Sequence, residues 1–483
     1  MRMLGQRFRN LMMRLGPGAI IASLTIGSGE LIFSTRAGAL FGPRVLAPFL
    51  VICLLKWVLV YTAGRQMVLR GIHPLESWVR LPGPRGWLPM TFLILGLPCF
   101  PIWVAFHANT TASILPQLTG HALLPQVLWA NLLLFLCLML CLRGRYRLLE
   151  MVQLVMVLAL LGIALGALLL VAPSMEEWVS VILATEMPVY PDWVEQYPNI
   201  ASRPVWVELS TYVGIVGGSS YDYLCYVAFL REKGWGRANQ GARGKLVSAS
   251  AMAEGLTALR WDTCFSFLCV LIFSSVFVML GHEILAPRHW VPVDGQLLSM
   301  QAFFVSDALP WLRQVYFIGA LLAMMGTLYG TLEVGPTIYT ECARAMGWRR
   351  SVCNSNLSRT KILLFISLSA AFLLGLIELS SDTDKPFSFI WLLTPANLFT
   401  GVFGCGLVLA ATGWCAFKGG SSEPGFLAGY WKWFMLPSAL LFFALGIKGY
   451  LDHGGWPSLL ILLGSVGAGS LVAHWCHHPA SAD

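Results

Sequence analysis

The chain is a succession of long, continuous apolar stretches separated by short polar connections. Reading each stretch of about 18 residues or more as one membrane crossing predicts spans at 17–40, 45–68, 88–115, 122–142, 148–172, 205–230, 262–281, 311–340, 361–380, 388–412, 433–449 and 457–475. The stretches do not alternate apolar with polar, which excludes a transmembrane β-barrel. Tryptophan and tyrosine gather near the predicted ends (Trp57, Tyr61, Trp78, Trp87, Trp178, Trp193, Trp290, Trp311, Trp431, Trp433), as side chains of a membrane–water interface do.

Composition agrees with an all-α integral membrane protein. Of 483 residues, 57% are hydrophobic and 12% charged, with a mean hydropathy of +0.69. A soluble domain carries about 25% charged residues, so a water-soluble fold is excluded, as are disorder and collagen-like repeats. The net charge of +8 is a matter of placement. With the N-terminus cytoplasmic, alternate connections hold 24 of the 32 basic residues, among them Arg7, Arg9, Arg65, Arg70, Arg143, Arg145, Arg231, Lys245, Arg349 and Arg359. The opposite loop 173–204 carries Glu176, Glu177, Glu186, Asp192 and Glu195 against Arg203. This is the positive-inside pattern, so the basic charge asks for no nucleic-acid partner. A multi-pass protein of the cell membrane with a cytoplasmic N-terminus is expected. No small-residue cleavage site follows the basic N-terminus, so no signal peptide is read. The twelve cysteines form no CxxC and lie almost all in apolar segments, which signals neither a disulfide framework nor a zinc site.

Two spans are interrupted. The first, GPGAIIASLTIGSGELIFSTRAGALFG (16–42), has Gly27-Ser28-Gly29-Glu30 at its middle. Two glycines cost a helix about 2 kcal/mol relative to alanine, and a carboxylate sits near the midplane. The sixth, ELSTYVGIVGGSSYDYLCYVAFLR (208–231), has Gly217-Gly218-Ser219-Ser220-Tyr221-Asp222. Interrupted spans at corresponding places in two halves point to an inverted-repeat transporter with its site between them. Unwinding frees carbonyl oxygens for a cation, and the neighbouring carboxylate supplies charge. Close packing of glycine, and stabilisation of Glu30 by a half-helix dipole, are the plainer alternatives.

At these residues the chain resembles the Nramp divalent-metal transporters. Gly16-Pro17, Gly29, Ala37-Gly38 and Phe41-Gly42 match that family's first helix, and Gly214-Ile215-Val216-Gly217 matches the opening of its sixth break. The resemblance implies a LeuT-type fold of two inverted five-helix repeats plus two extra C-terminal helices, about twelve in all. The layout would be a cytoplasmic N-terminus over 1–15, a first repeat over 16–172, an extracytoplasmic acidic loop over 173–204, a second repeat over 205–415, and helices 11 and 12 with the tail over 416–483. It also implies secondary transport of a divalent metal, commonly with protons.

The departures sit at the metal site. Where Nramp proteins have Asp-Pro-Gly-Asn, this chain has Gly27-Ser28-Gly29-Glu30, and where they have Met-Pro-His it has Tyr221-Asp222-Tyr223. The thioether and the histidine are both gone, which marks a divergent Nramp-related branch. What replaces them is an all-oxygen set: Glu30 and Asp222 as metal-binding carboxylates, with Gly27, Ser28, Gly218, Ser219, Tyr221 and Asn397 completing a substrate site. Such a set suits a hard cation, Mg²⁺- or Mn²⁺-like. The alternative is a cation-coupled symporter of a small organic solute on the same fold.

Further candidates each have a structural alternative. His107 in FPIWVAFHANTTASIL and Glu333 in the eighth span are proton-coupling candidates, or packed polar groups. Lys56 reads as a snorkelling or paired lysine, and His474, Cys476, His477 and His478 as a solvated tail or a metal-sensing one. No Ser/His/Asp arrangement, phosphate loop or metallohydrolase motif occurs, so an enzyme is not expected. Nor is a cofactor beyond the transported cation, or an obligate protein partner; the surroundings are the lipid bilayer.

Overall fold

The computed structural model describes residues 17–18, 22, 25–120, 123–143, 155, 162–163, 165–169, 187–238, 247–292, 298–306, 310–348, 356–381, 389–418 and 429–477. The expected N-terminal segment 1–15, most of the span 148–172 and the acidic half of the loop 173–204 lie outside them.

The described chain is helical throughout. We label its main elements α1 (Ile26–Ser34), α2 (Thr35–Phe41), α3 (Leu46–Arg70), α4 (Trp87–Ala112), α5 (Gln126–Arg143), α6 (Val205–Ile215), α7 (Ser220–Lys233), α8 (Ala249–Leu280), α9 (Leu312–Ala345), α10 (Asn356–Ser381), α11 (Phe389–Asn397), α12 (Leu398–Phe403), α13 (Gly404–Lys418) and α14 (Gly429–His477). Among the described residues nine helical stretches are long and apolar enough to cross a membrane, fewer than the twelve expected. Two of the nine explain part of the difference. Gly29–Arg70 spans 42 residues and turns at Gly42, whose φ is +63°. Trp433–Cys476 spans 44 and turns at Gly454 and Gly455, where the backbone leaves helical geometry. About 20 residues suffice for one crossing.

One group of helices comprises α1, α3, α6, α7 and α8; α4, α5, α9 and α10 form a second group, with α12 and α14 packed against α6 and α4 respectively. α1 touches both groups, lying against α8 on one side and α9 on the other. The outer helices carry the exposed large apolar side chains, such as Phe135 on α5, Leu368 on α10 and Leu460 on α14, as a lipid-facing surface requires.

The two expected breaks differ. The sixth span is unwound: α6 ends at Ile215, Gly217 and Gly218 take φ of +82° and +98°, and α7 starts at Ser220. Only glycine enters that region without strain. The first span instead continues as a π-helix over Ile26–Ser34, flanked by helical dihedrals at Thr25 and Thr35. Its glycines serve close approach. A Cβ on Gly27 would collide with the Thr327 hydroxyl of α9, and one on Gly29 would lie 3.0 Å from Ile215 of α6. The wider turn keeps backbone groups paired inside the helix, which the bilayer demands. Among the described residues two more π-helical segments follow, Gly281–Leu285 after α8 and α12 within the tenth span.

Candidate functional site

The unwound segment, the flanking ends of α6 and α7, and α1, α4, α9, α11 and α12 line a cavity of about 50 Å³. Its walls are Thr25, Phe33, Trp103, Phe106, His107, Gly214, Ile215, Gly218, Ser219, Asp222, Thr331, Leu393, Asn397 and Thr400. Of the residues expected from sequence, Gly218, Ser219, Asp222, Asn397 and His107 therefore meet here.

Among the described residues, Asp222 is the only acidic one on the wall. Its Oδ2 accepts the Ser219 N–H at 2.8 Å and the Ser219 hydroxyl accepts the Asp222 N–H at 3.4 Å, a reciprocal cap on α7. The cap holds the carboxylate at the start of α7, where the helix dipole favours negative charge. Asn397 accepts the Trp103 indole N–H at 2.9 Å, which fixes its amide orientation. Its Nδ2 is buried with no hydrogen-bond partner among the described residues. His107 Nδ1 lies 3.3 Å from the Thr331 hydroxyl.

Glu30 is fully buried but does not line the cavity. Its Oε1 accepts the Gly217 N–H at 3.2 Å, and its Oε2 has no partner among the described residues. Gly27 is spent on packing against α9; the Ser28 side chain lies outside the described residues. Tyr221 is buried away from the cavity. Its hydroxyl donates to the Phe92 carbonyl at 2.6 Å, and its ring sits among Phe92, Phe100 and Trp103. Glu333 is likewise remote, with both carboxylate oxygens 2.6 Å from Arg359. Among the described residues no group of three or more His, Cys, Asp or Glu side chains is placed to hold a metal ion.

The residue underrated by the sequence is Lys56. It is fully buried, and its ammonium donates to the carbonyls of Val213 and Gly214 at 3.0 Å and of Val216 and Gly218 at 2.8 Å. Tyr223 takes the remaining carbonyl of the break, Gly217, at 2.6 Å. The available signal was a single charge inside the otherwise apolar LAPFLVICLLKWVLV.

No protein-family model and no curated protein matches the chain. Solved structures do. A manganese transporter from Eremococcus coleocola superposes with a TM-score of 0.70 at 14% identity, covering 97% of this chain and 95% of that one. Mhp1, a nucleobase-cation-symport-1 family transporter in a closed conformation, gives 0.51 at 13% identity over 95% and 93%. MhsT in complex with L-phenylalanine gives 0.51 at 14% over 90% and 98%. The chain has a divergent Nramp-like fold.

Within that Nramp-like frame, the multi-pass helical architecture resembles LeuT-type inverted-repeat transporters, and the structures it matches are transporters rather than enzymes. The departures read from sequence fall at the cavity and beside it. The position of the Nramp metal-binding aspartate, Gly27, is packed against α9. Of Tyr221-Asp222-Tyr223, only Asp222 reaches the cavity.

Proposed function

We propose that this protein is a secondary active transporter that carries a hard divalent cation, Mg²⁺- or Mn²⁺-like, through the cavity beside the unwound sixth span. The observation that carries the reading is the Asp222 carboxylate, half-buried on the wall of a cavity whose other polar groups are hydroxyls, the Asn397 amide, the His107 imidazole, the Trp103 indole and glycine backbone. Mg²⁺ keeps several waters and is held through one or two carboxylates; a single carboxylate sharing a cavity with hydroxyl and amide oxygens suits a partly hydrated ion. Glu30 stands across the unwound segment as the second carboxylate, reached through Gly217 and not through the cavity.

The same reading takes two inverted repeats over 16–172 and 205–415, the helices of 416–483 as the eleventh and twelfth, and a cell-membrane orientation with 1–15 cytoplasmic. Counting the kinked stretches 29–70 and 433–476 as two crossings each, together with 148–172, brings the number to twelve. His107 is the proton-coupling candidate on the cavity wall, whereas Glu333 would couple only through Arg359.

A second reading, cation-coupled symport of a small organic solute, is favoured by two observations. The cavity has aromatic walls in Phe33, Trp103 and Phe106, and the buried Asn397 Nδ2 offers a donor to a ligand acceptor. Titration calorimetry of purified protein with Mg²⁺, Mn²⁺ and Ca²⁺ separates the two. Saturable heat that weakens at least tenfold in Asp222→Asn is expected; silence toward all three ions favours the organic solute.

A further inference from the structure

The carbonyls freed by the broken sixth span are already occupied. Val213 and Gly214 belong to the last turn of α6, where the helix dipole is negative, and Val216 and Gly218 belong to the unwound segment. All four converge on one ammonium, at distances between 2.8 and 3.0 Å. Three N–H groups for four acceptors means that one is shared, as around a bound monovalent ion. The lysine stem runs beside Gly217, where an added Cβ would meet Lys56 Cδ at 3.4 Å and Cys53 Sγ at 3.6 Å. The charged and titratable groups around the amine are Glu30 on α1, Asp222 and Tyr223 on α7, Cys53 on its own helix and Cys405 on α13.

In inverted-repeat transporters, carbonyls of unwound helices and the C-terminal ends of half-helices are the groups that coordinate a monovalent coupling cation. A buried ammonium is tolerated only where hydrogen bonds and counter-charge offset its desolvation, and this cage provides both. We propose that the carbonyl cage of Val213, Gly214, Val216 and Gly218 is a monovalent-cation site, and that Lys56 is a tethered cation filling it. The protein then carries its own monovalent ion and needs no sodium or potassium to hold the break in shape. Lys56 acts as a positioning residue: its contact with Gly218 fixes the backbone directly before Ser219 and the Asp222 cap at the cavity. The inference deepens the transport reading and rests on it only for the idea of coupling; occupancy of the cage is a separate matter.

The test is thermal unfolding of the full-length purified protein in choline, sodium, potassium and n-propylammonium chlorides at matched ionic strength. Propylammonium replaces the atoms removed by Lys56→Ala. The wild-type melting temperature is expected to be the same in all four salts. Lys56→Ala is expected to melt lower in choline and to regain several degrees, saturably, in propylammonium, sodium or potassium. Equal melting of Lys56→Ala in every salt overturns the proposal, as does a saturable rise of the wild type in sodium or potassium. If Lys56→Ala does not fold, Lys56→Met, which keeps the stem and removes the charge, decides: stabilisation by sodium or potassium supports the site, and indifference to both overturns it. Divalent-ion calorimetry reads a different site, so either result stands whatever the other gives.

Discussion

Asp222 accepts the backbone N–H of Ser219 at 2.8 Å while lining the cavity, so one carboxylate both closes the capping box of α7 and lines the cavity. The two roles separate by substitution. Asp222→Asn keeps an oxygen for the Ser219 N–H, whereas Asp222→Ala removes that half of the capping box at a cost of about 1 kcal/mol. Thermal unfolding of the purified variants should place Asn near wild type and Ala measurably below it. Equal melting temperatures would show that the cap is not maintained.

Arg36 and Glu208 form an ion pair with both side chains buried, and the guanidinium also donates to the Pro292 carbonyl at 2.5 Å. Tyr212 donates to the same carboxylate at 2.7 Å. Removing one partner strands a buried charge, which costs about 3–5 kcal/mol. Glu208→Ala should lower the melting temperature more than the double variant Arg36→Met/Glu208→Leu does. The opposite order would mean that the pair is solvated.

The sixth and tenth spans touch through glycine. A Cβ on Gly401 would run into the Gly214 carbonyl, and one on Gly214 would lie 2.9 Å from the Asn397 carbonyl. Backbone cannot swing aside as a long side chain does, so Gly401→Ala should destabilise by about 1–3 kcal/mol. Since Gly214 and Asn397 are both cavity walls, ligand affinity should fall with it. A variant with wild-type stability would show that the two spans sit further apart.

Legibility in the sequence followed how local each cause was. The break at Gly217-Gly218 was readable because adjacent glycines with left-handed φ are a local requirement. The π-helix of α1 was not, because Gly27 and Gly29 are set by Thr327 and Ile215, distant in the chain. Glu333 looked like an intramembrane carboxylate; its partner Arg359 comes from the following helix. Lys56 looked like a snorkelling side chain because its partners are backbone carbonyls, which leave no mark in residue identity. Asp222 and Asn397, the one read from a carboxylate beside the glycine break and the other from the resemblance to the Nramp tenth helix, both line the cavity.

His73, in the connection between α3 and α4, caps the short helix Pro74–Trp78 through its Nδ1 and donates from Nε2 to the Leu224 carbonyl at 3.0 Å. Burial, the largest influence, holds its pKa below the ordinary 6.5. The folded protein therefore keeps this imidazole neutral while the unfolded chain takes up a proton below about pH 6.5, so stability falls as pH drops through that range. His73→Asn, which can still cap a helix, should melt with a flatter pH dependence between about pH 7.5 and 5.5. An unchanged slope would assign the acid sensitivity elsewhere.

The most direct test of the transport claim is uptake of Mn²⁺ and Mg²⁺ into proteoliposomes holding wild type or Asp222→Asn, with melting temperatures checked to be alike. Saturable uptake by wild type that drops at least tenfold in Asp222→Asn is the predicted result. Equal uptake by the two proteins, or none by the wild type, would contradict it.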